Sequence, residues 1–122
     1  MVQCLSSYGF RVYATVLDTH SYGAQQLIDN CSEPNRMVVH KMDVTRARDI
    51  ENVYQKVVED LQTNDYILWS VVNNVGYGVI AQTEWLDLAQ IKKLFEVNLF
   101  GVVKVTRMFL PLIRHSKGIR SF

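Results

Sequence analysis

Three short apolar runs alternate along this chain with three stretches whose apolar residues recur at helical spacing. The runs are Phe10–Leu17, Met37–Met42 and Leu68–Val72, brief and rich in β-branched side chains, as strands are. The helical stretches place Ala24, Leu27, Ile28 and Cys31 on one face. They then place Ile50, Val53, Tyr54, Val57, Val58 and Leu61 on another, and Ile91, Phe95, Asn98, Val102, Val105 and Phe109 on a third. Strand followed by helix, repeated, is what a parallel sheet requires, because parallel neighbours are joined only by crossovers. Right-handed crossovers put the helices on the two faces. The expected fold class is α/β: a partial doubly wound, Rossmann-type parallel sheet. Three strands and three to four helices are expected, the extra helix being a short one in residues 1–8 that Gly9 ends.

Local signals set the boundaries. Ser21 is placed to cap the first full helix, and Pro34-Asn35 breaks it. Asp43-Val44-Thr45 leads into a helix over 46–62 that Asn64-Asp65 ends. Residues 77–86 read as a loop. The longest helix is expected from Asp87 to about His115, with Pro111 tightening its last turns. The chain has 122 residues and a net charge of +1, so it is one domain at most and offers no electrostatic footprint for nucleic acid or a membrane surface. The longest apolar runs fall short of the 18 or so residues that span a bilayer. Cys4 and Cys31 have no metal spacing, and His20, His40 and His115 are scattered.

Four features carry possible chemistry. Asp18 stands at the tip of the first strand, where a carboxylate accepts hydrogen bonds from ribose hydroxyls and repels a 2′-phosphate. The alternative is a solvated loop acid. Asp43, with Val44, follows the second strand, where a carboxylate can accept from an adenine amino group. It could equally be an acid favouring the dipole of the following helix. Asn73-Asn74-Val75-Gly76 ends the third run at the sheet edge where ligands bind, although Asn and Gly also make plain turns. Asn98 interrupts an apolar stripe, and burial there costs about 1–3 kcal/mol unless the amide is bonded. It is expected to hold backbone or water in place, or equally to be an amide at a helix kink or helix contact. Gly76-Tyr77-Gly78-Val79-Ile80-Ala81 fits a G-x-G-x-x-A form but lacks the helix that should open at once.

These residues together resemble the short-chain dehydrogenase/reductase family. The chain is most similar to the branch of type 2 17β-hydroxysteroid, retinol and mitochondrial 3-hydroxybutyrate dehydrogenases. The matching stretches are Gly9-Phe10-Arg11-Val12 with Val16-Leu17-Asp18, then Asp43-Val44-Thr45, Leu68 through Gly76, Glu96-Val97-Asn98-Leu99-Phe100-Gly101, and Phe109 through Arg114 with Lys117-Gly118. The resemblance implies residues 1–118 as a partial dinucleotide-binding domain, with 119–122 outside it. It implies NAD as cofactor, NADP being disfavoured by Asp18. Asp18 would bind the adenosine ribose, Asp43 and Val44 the adenine, and Asn73 and Gly76 would line the cleft. Asn98 would be the asparagine of the catalytic tetrad, holding a water that relays protons. The implied reaction is hydride transfer between nicotinamide and a secondary alcohol or ketone of a steroid, retinoid or similar lipid. An intracellular location, at the endoplasmic reticulum membrane or in mitochondria, is implied by the branch only.

The departures from the family are specific. Val75 replaces an alanine. The glycine-rich phosphate loop and its strand would precede residue 1, and the catalytic Ser and Tyr-x-x-x-Lys would follow residue 118. The resemblance therefore implies a fragment lacking the central first strand, inactive by itself. The other expectation is a non-enzymatic chain that pairs through helix 87–115, as a homo- or heterodimer, with a full-length relative.

Overall fold

The computed structural model describes residues 1–116, in two compact units, Met1–Asp43 and a second from Val44 onward. The first unit opens with α1 (Val2–Ser7), which Gly9 ends at a φ of +90°. The positive φ calls for glycine, whereas the atom a Cβ would approach, Arg36 Nη1 at 2.8 Å, is the end of a flexible side chain that can move aside. β1 (Val12–Val16) and β2 (Met37–Lys41) pair in parallel, in register from Val12↔Met37 to Val16↔Lys41. The Met42 N–H donates to the Val16 carbonyl at 2.9 Å and carries the ladder one step further. α2 (Tyr22–Asp29) makes the crossover, and Ser21 caps it by accepting from the Ala24 N–H at 3.3 Å. Pro34–Arg36 form one tight turn before β2, where Pro34-Asn35 marked a break. Ala14, Ala24, Cys31 and Met42 are buried, with the Ser6 hydroxyl satisfied by the Gln3 carbonyl at 2.9 Å.

In the second unit α3 (Ala47–Asn64) buries Ile50, Val53, Val57 and Leu61, four members of the expected stripe. Asp65, left-handed at φ 53°, ends it. α4 (Leu88–Phe95) begins with a capping box between Asp87 and Gln90. A π-turn, Glu96–Gly101, follows, and then α5 (Val102–Ser116), with Pro111 inside it on the exposed side. α5 buries Val105, Phe109 and Ile113, and the Phe109 ring meets Tyr54 of α3 edge-on at 5.4 Å. The helix expected as one continuous element at 87–115 is thus interrupted. A π-turn inserts an extra residue and rotates the faces on its two sides relative to each other. Phe95, on the expected inner stripe, is consequently 55% exposed, while Gly101 is buried. The loop 77–86 holds a single 3-10 turn, Thr83–Trp85.

The third expected strand differs most. Among the described residues the sheet has two strands, and Leu68–Val72 carry no ladder. A strand exists only by pairing, and among the described residues no strand lies alongside this run to pair with it. The run nevertheless stays extended along a helix. The Leu68 carbonyl accepts from Ser116 Oγ, Asn73 Nδ2 donates to Thr106 Oγ1, and the Tyr77 backbone bonds the Asn98 side chain. From Ser116 back to Thr106 the helix rises about 15 Å. Leu68 to Asn73 covers that only at about 3.3 Å per residue, the rise of a strand. Residues 68–77 therefore run antiparallel to α5, docked by side chains. Among the described residues no helix is long and apolar enough to cross a membrane. Residues 117–122, including Lys117-Gly118 and the tail, lie outside the described residues.

Candidate functional site

In the first unit the strand register brings two expected site residues to one edge. Val16 and Lys41 are paired, and Asp18 and Asp43 each follow two residues later, beyond the carboxyl ends of adjacent parallel strands. Asp18 is exposed, and its Oδ1 accepts the His20 N–H at 2.9 Å while its backbone carbonyl takes Ser21 N–H and Oγ. An ionised carboxylate accepts up to about four hydrogen bonds, so this one retains capacity for hydroxyl donors. Asp43 is half-buried and is engaged by other groups. The helix that follows, α3, has Arg46 at its cap position and Asp49 as the acid of its first turn.

The second unit gathers the others. Asn98 sits inside the π-turn and is exposed, correcting the expectation of a buried amide. The extra residue turns position 98 off the packed stripe, which here runs through Gly101, Val105, Phe109 and Ile113. Its amide still holds backbone: Oδ1 accepts the Tyr77 N–H at 2.8 Å and Nδ2 donates to the Tyr77 carbonyl at 2.7 Å. That two-way pairing mimics one rung of a sheet. Lys93 Nζ lies 5.2 Å above the Tyr77 ring and holds the same loop from α4. Asn73, half-buried, is tied to Thr106 Oγ1 at 3.0 Å. Asn73 and Gly76 thus belong to one docked segment, and Asn98 to the π-turn that holds it.

Gly76 has open space about it. A Cβ there would meet no atom within 4 Å, so packing within the chain does not account for the glycine. Val75, 39% exposed, is accommodated without crowding. Val44 is buried, and its side chain lies against Gly101: a Cβ on residue 101 would come 2.6 Å from Val44 Cγ2. Only its backbone is left for a ligand.

Gly101, Thr106 and Tyr77 are residues whose part was not read from the sequence. A glycine within an apolar helical stripe is a signal for close approach, and Gly101 carried it. Thr106 and Tyr77 carried none, because their partners lie 33 and 21 residues away. Among the described residues no three His, Cys, Asp or Glu side chains are placed to hold a metal ion.

The sheet edge thus carries one carboxylate two residues beyond the end of each of two paired parallel strands. Comparison with known proteins agrees on the family. Residues 1–119 match the model of the short chain dehydrogenases. Rat estradiol 17-beta-dehydrogenase 2 is 44% identical over 115 residues, which are 93% of this chain and 29% of that protein. Bovine mitochondrial D-beta-hydroxybutyrate dehydrogenase is 34% identical over 116 residues, 93% of this chain and 33% of that protein. The alcohol dehydrogenase of Thermococcus sibiricus superposes with a TM-score of 0.82 over 97% of this chain and 48% of its own, at 22% identity, a likeness of fold. The chain spans about a third or less of the curated relatives it matches. With the dispersed motifs in order and a family match over residues 1–119, the chain belongs to the short-chain dehydrogenase family.

Proposed function

We propose that this chain carries the adenosine-facing part of the site of an NAD-dependent oxidoreductase acting on a hydrophobic secondary alcohol or ketone. The observation that carries the reading is the placement of Asp18 and Asp43 two residues beyond paired strand positions. Asp18 accepts the ribose hydroxyls, and its charge disfavours a 2′-phosphate, so NAD is preferred over NADP. Asp43 and the Val44 backbone receive adenine. In the second unit Asn73 and Gly76 are the residues this reading assigns to the cofactor, and the open space about Gly76 leaves its backbone bare to a ligand. NAD, when bound, supplies the hydride acceptor.

Asn98 fixes the turn that carries these residues. Two of its four hydrogen-bonding capacities serve Tyr77, and one Nδ2 hydrogen and one Oδ1 lone pair remain for a water. In this reading Asn98 holds that water, which passes a proton onward. A steroid-like substrate is the reading supported by the name of the rat relative, estradiol 17-beta-dehydrogenase 2.

Calorimetric titration with NAD and NADP tests the reading. Asp18→Ala is expected to weaken NAD about tenfold or more, the size of a hydrogen bond to a charged group, and to narrow the gap to NADP. Identical NAD binding by Asp18→Ala, or no NAD binding at all, overturns it.

A second reading rests on a different observation. Phe95, Leu99, Phe100 and Val103 are 55%, 49%, 51% and 44% exposed on the helical path of α4, the π-turn and α5. We infer a pairing surface there, for a second copy or a full-length relative, compatible with the enzymatic reading.

A further inference from the structure

The π-turn that holds Asn98 is itself held. Its first residue, Glu96, forms an ion pair with Lys104 of α5, eight residues on. The same Lys104 Nζ donates to the Thr45 carbonyl at 3.4 Å, a long bond that the positive charge sustains. Its last residue, Gly101, rests against Val44, the neighbour of Thr45 in sequence. Two contacts of different chemistry therefore bind the start of the turn and its end to the same dipeptide, Val44-Thr45. That dipeptide follows Asp43, the carboxylate read as the adenine acceptor.

We propose that Lys104 is a positioning residue for Asn98: by joining Glu96 to the Thr45 carbonyl it sets the π-turn against the adenine-side segment, so that a ligand seated there steadies Asn98. The coupling to a ligand rests on the cofactor reading above; the positioning itself does not. The ion pair has side-chain exposures of 38% and 42%, so water screens it and global stability depends little on it. What it restrains is local. A π-turn trades the regular ladder for i→i+5 bonds and is held by its surroundings. Lys104 and Gly101 are those surroundings on one side, and Tyr77 is on the other.

Amide hydrogen exchange on the full 122-residue chain tests this, with Lys104→Met, Lys104→Arg and, as an independent break of the same pair, Glu96→Gln. Without ligand, the Tyr77 amide, which donates to Asn98, is expected to exchange about tenfold faster in Lys104→Met and Glu96→Gln. It should exchange at the native rate in Lys104→Arg. Amides in the core of α3 serve as the internal reference and should not change. A native Tyr77 rate in both Lys104→Met and Glu96→Gln overturns the proposal, as does an equal acceleration in α3, which marks a merely structural role. Addition of NAD then slows Tyr77 in the native chain but not in Lys104→Met. An absence of NAD binding refutes the cofactor reading, while the ligand-free comparison still decides the role of Lys104.

Discussion

At the scale of single residues, two glycines and an asparagine of the second unit have the most definite surroundings. Gly101 is the clearest case. A methyl group added there would sit 2.6 Å from Val44 Cγ2, 3.0 Å from its Cβ and 3.3 Å from the Glu96 carbonyl. Two of those neighbours are close to the backbone and cannot swing away. Gly101→Ala is therefore expected to destabilise the second unit by about 1–3 kcal/mol, the usual range for an overfilled core. Urea unfolding gives the number, and Gly101→Ala combined with Val44→Ala should recover part of it, because the nearest atom, Val44 Cγ2, is then gone while its Cβ and the Glu96 carbonyl stay close. Gly76 predicts the opposite. Its Cβ position is empty, so Gly76→Ala should leave stability within about 0.5 kcal/mol while weakening NAD, if that space receives cofactor. Asn98→Ala removes both bonds to Tyr77 at an exposed position, which costs about 1 kcal/mol and frees the 73–77 turn.

At the scale of elements, what the sequence disclosed and what it withheld divide by the range of the interaction. The α2 cap at Ser21, the stop at Gly9, the break at Pro34 and the buried stripe of α3 were all legible, because each depends on residues a few positions apart. The pairing of β1 with β2 followed from the alternation of strand and helix. The π-turn was not legible, since the stripe through Ile91, Phe95 and Asn98 continues to Val102, Val105 and Phe109 at ordinary helical spacing. Which continuation is buried depends on where α3 and Val44 stand, and these are distant in sequence. The third strand failed for the same reason: its apolar run was read correctly as extended, but its ladder needs a neighbour that the run itself cannot specify. The Asp18 and Asp43 edge was legible by offset from the strands, and the docking of residues 68–77 onto α5 was not. Ser21→Ala checks the legible part, with an expected loss of about 1 kcal/mol read from thermal unfolding of the first unit.

At the scale of the whole molecule, the apolar surface of the α4, π-turn and α5 path governs how the chain behaves in solution. Isolated exposed apolar side chains are ordinary, but Phe95, Leu99 and Val103 recur every four residues, and Phe100 widens the row. The π-turn contributes to this. By re-phasing the helix it turns Phe95 away from the stripe that α3 covers, so a large side chain expected on the buried face points outward beside Leu99. Exposed Trp69 and Val72, in the run without a ladder, add further apolar surface. Covering a large side chain contributes about 1.5–3 kcal/mol, so a handful of them suffices to hold two chains together at micromolar concentration once the cost of association is met. The chain is therefore expected to associate. Light scattering after size exclusion should report a mass that rises with concentration. The double variant Leu99→Glu with Phe100→Lys, which places both charges on that face, should remain at the monomer mass of 14.1 kDa with its helical circular dichroism intact. A native chain that stays monomeric at high concentration would leave the row without a partner and remove the pairing reading, while the Asp18 and Asp43 edge would stand unaffected, since it draws on other residues and another unit.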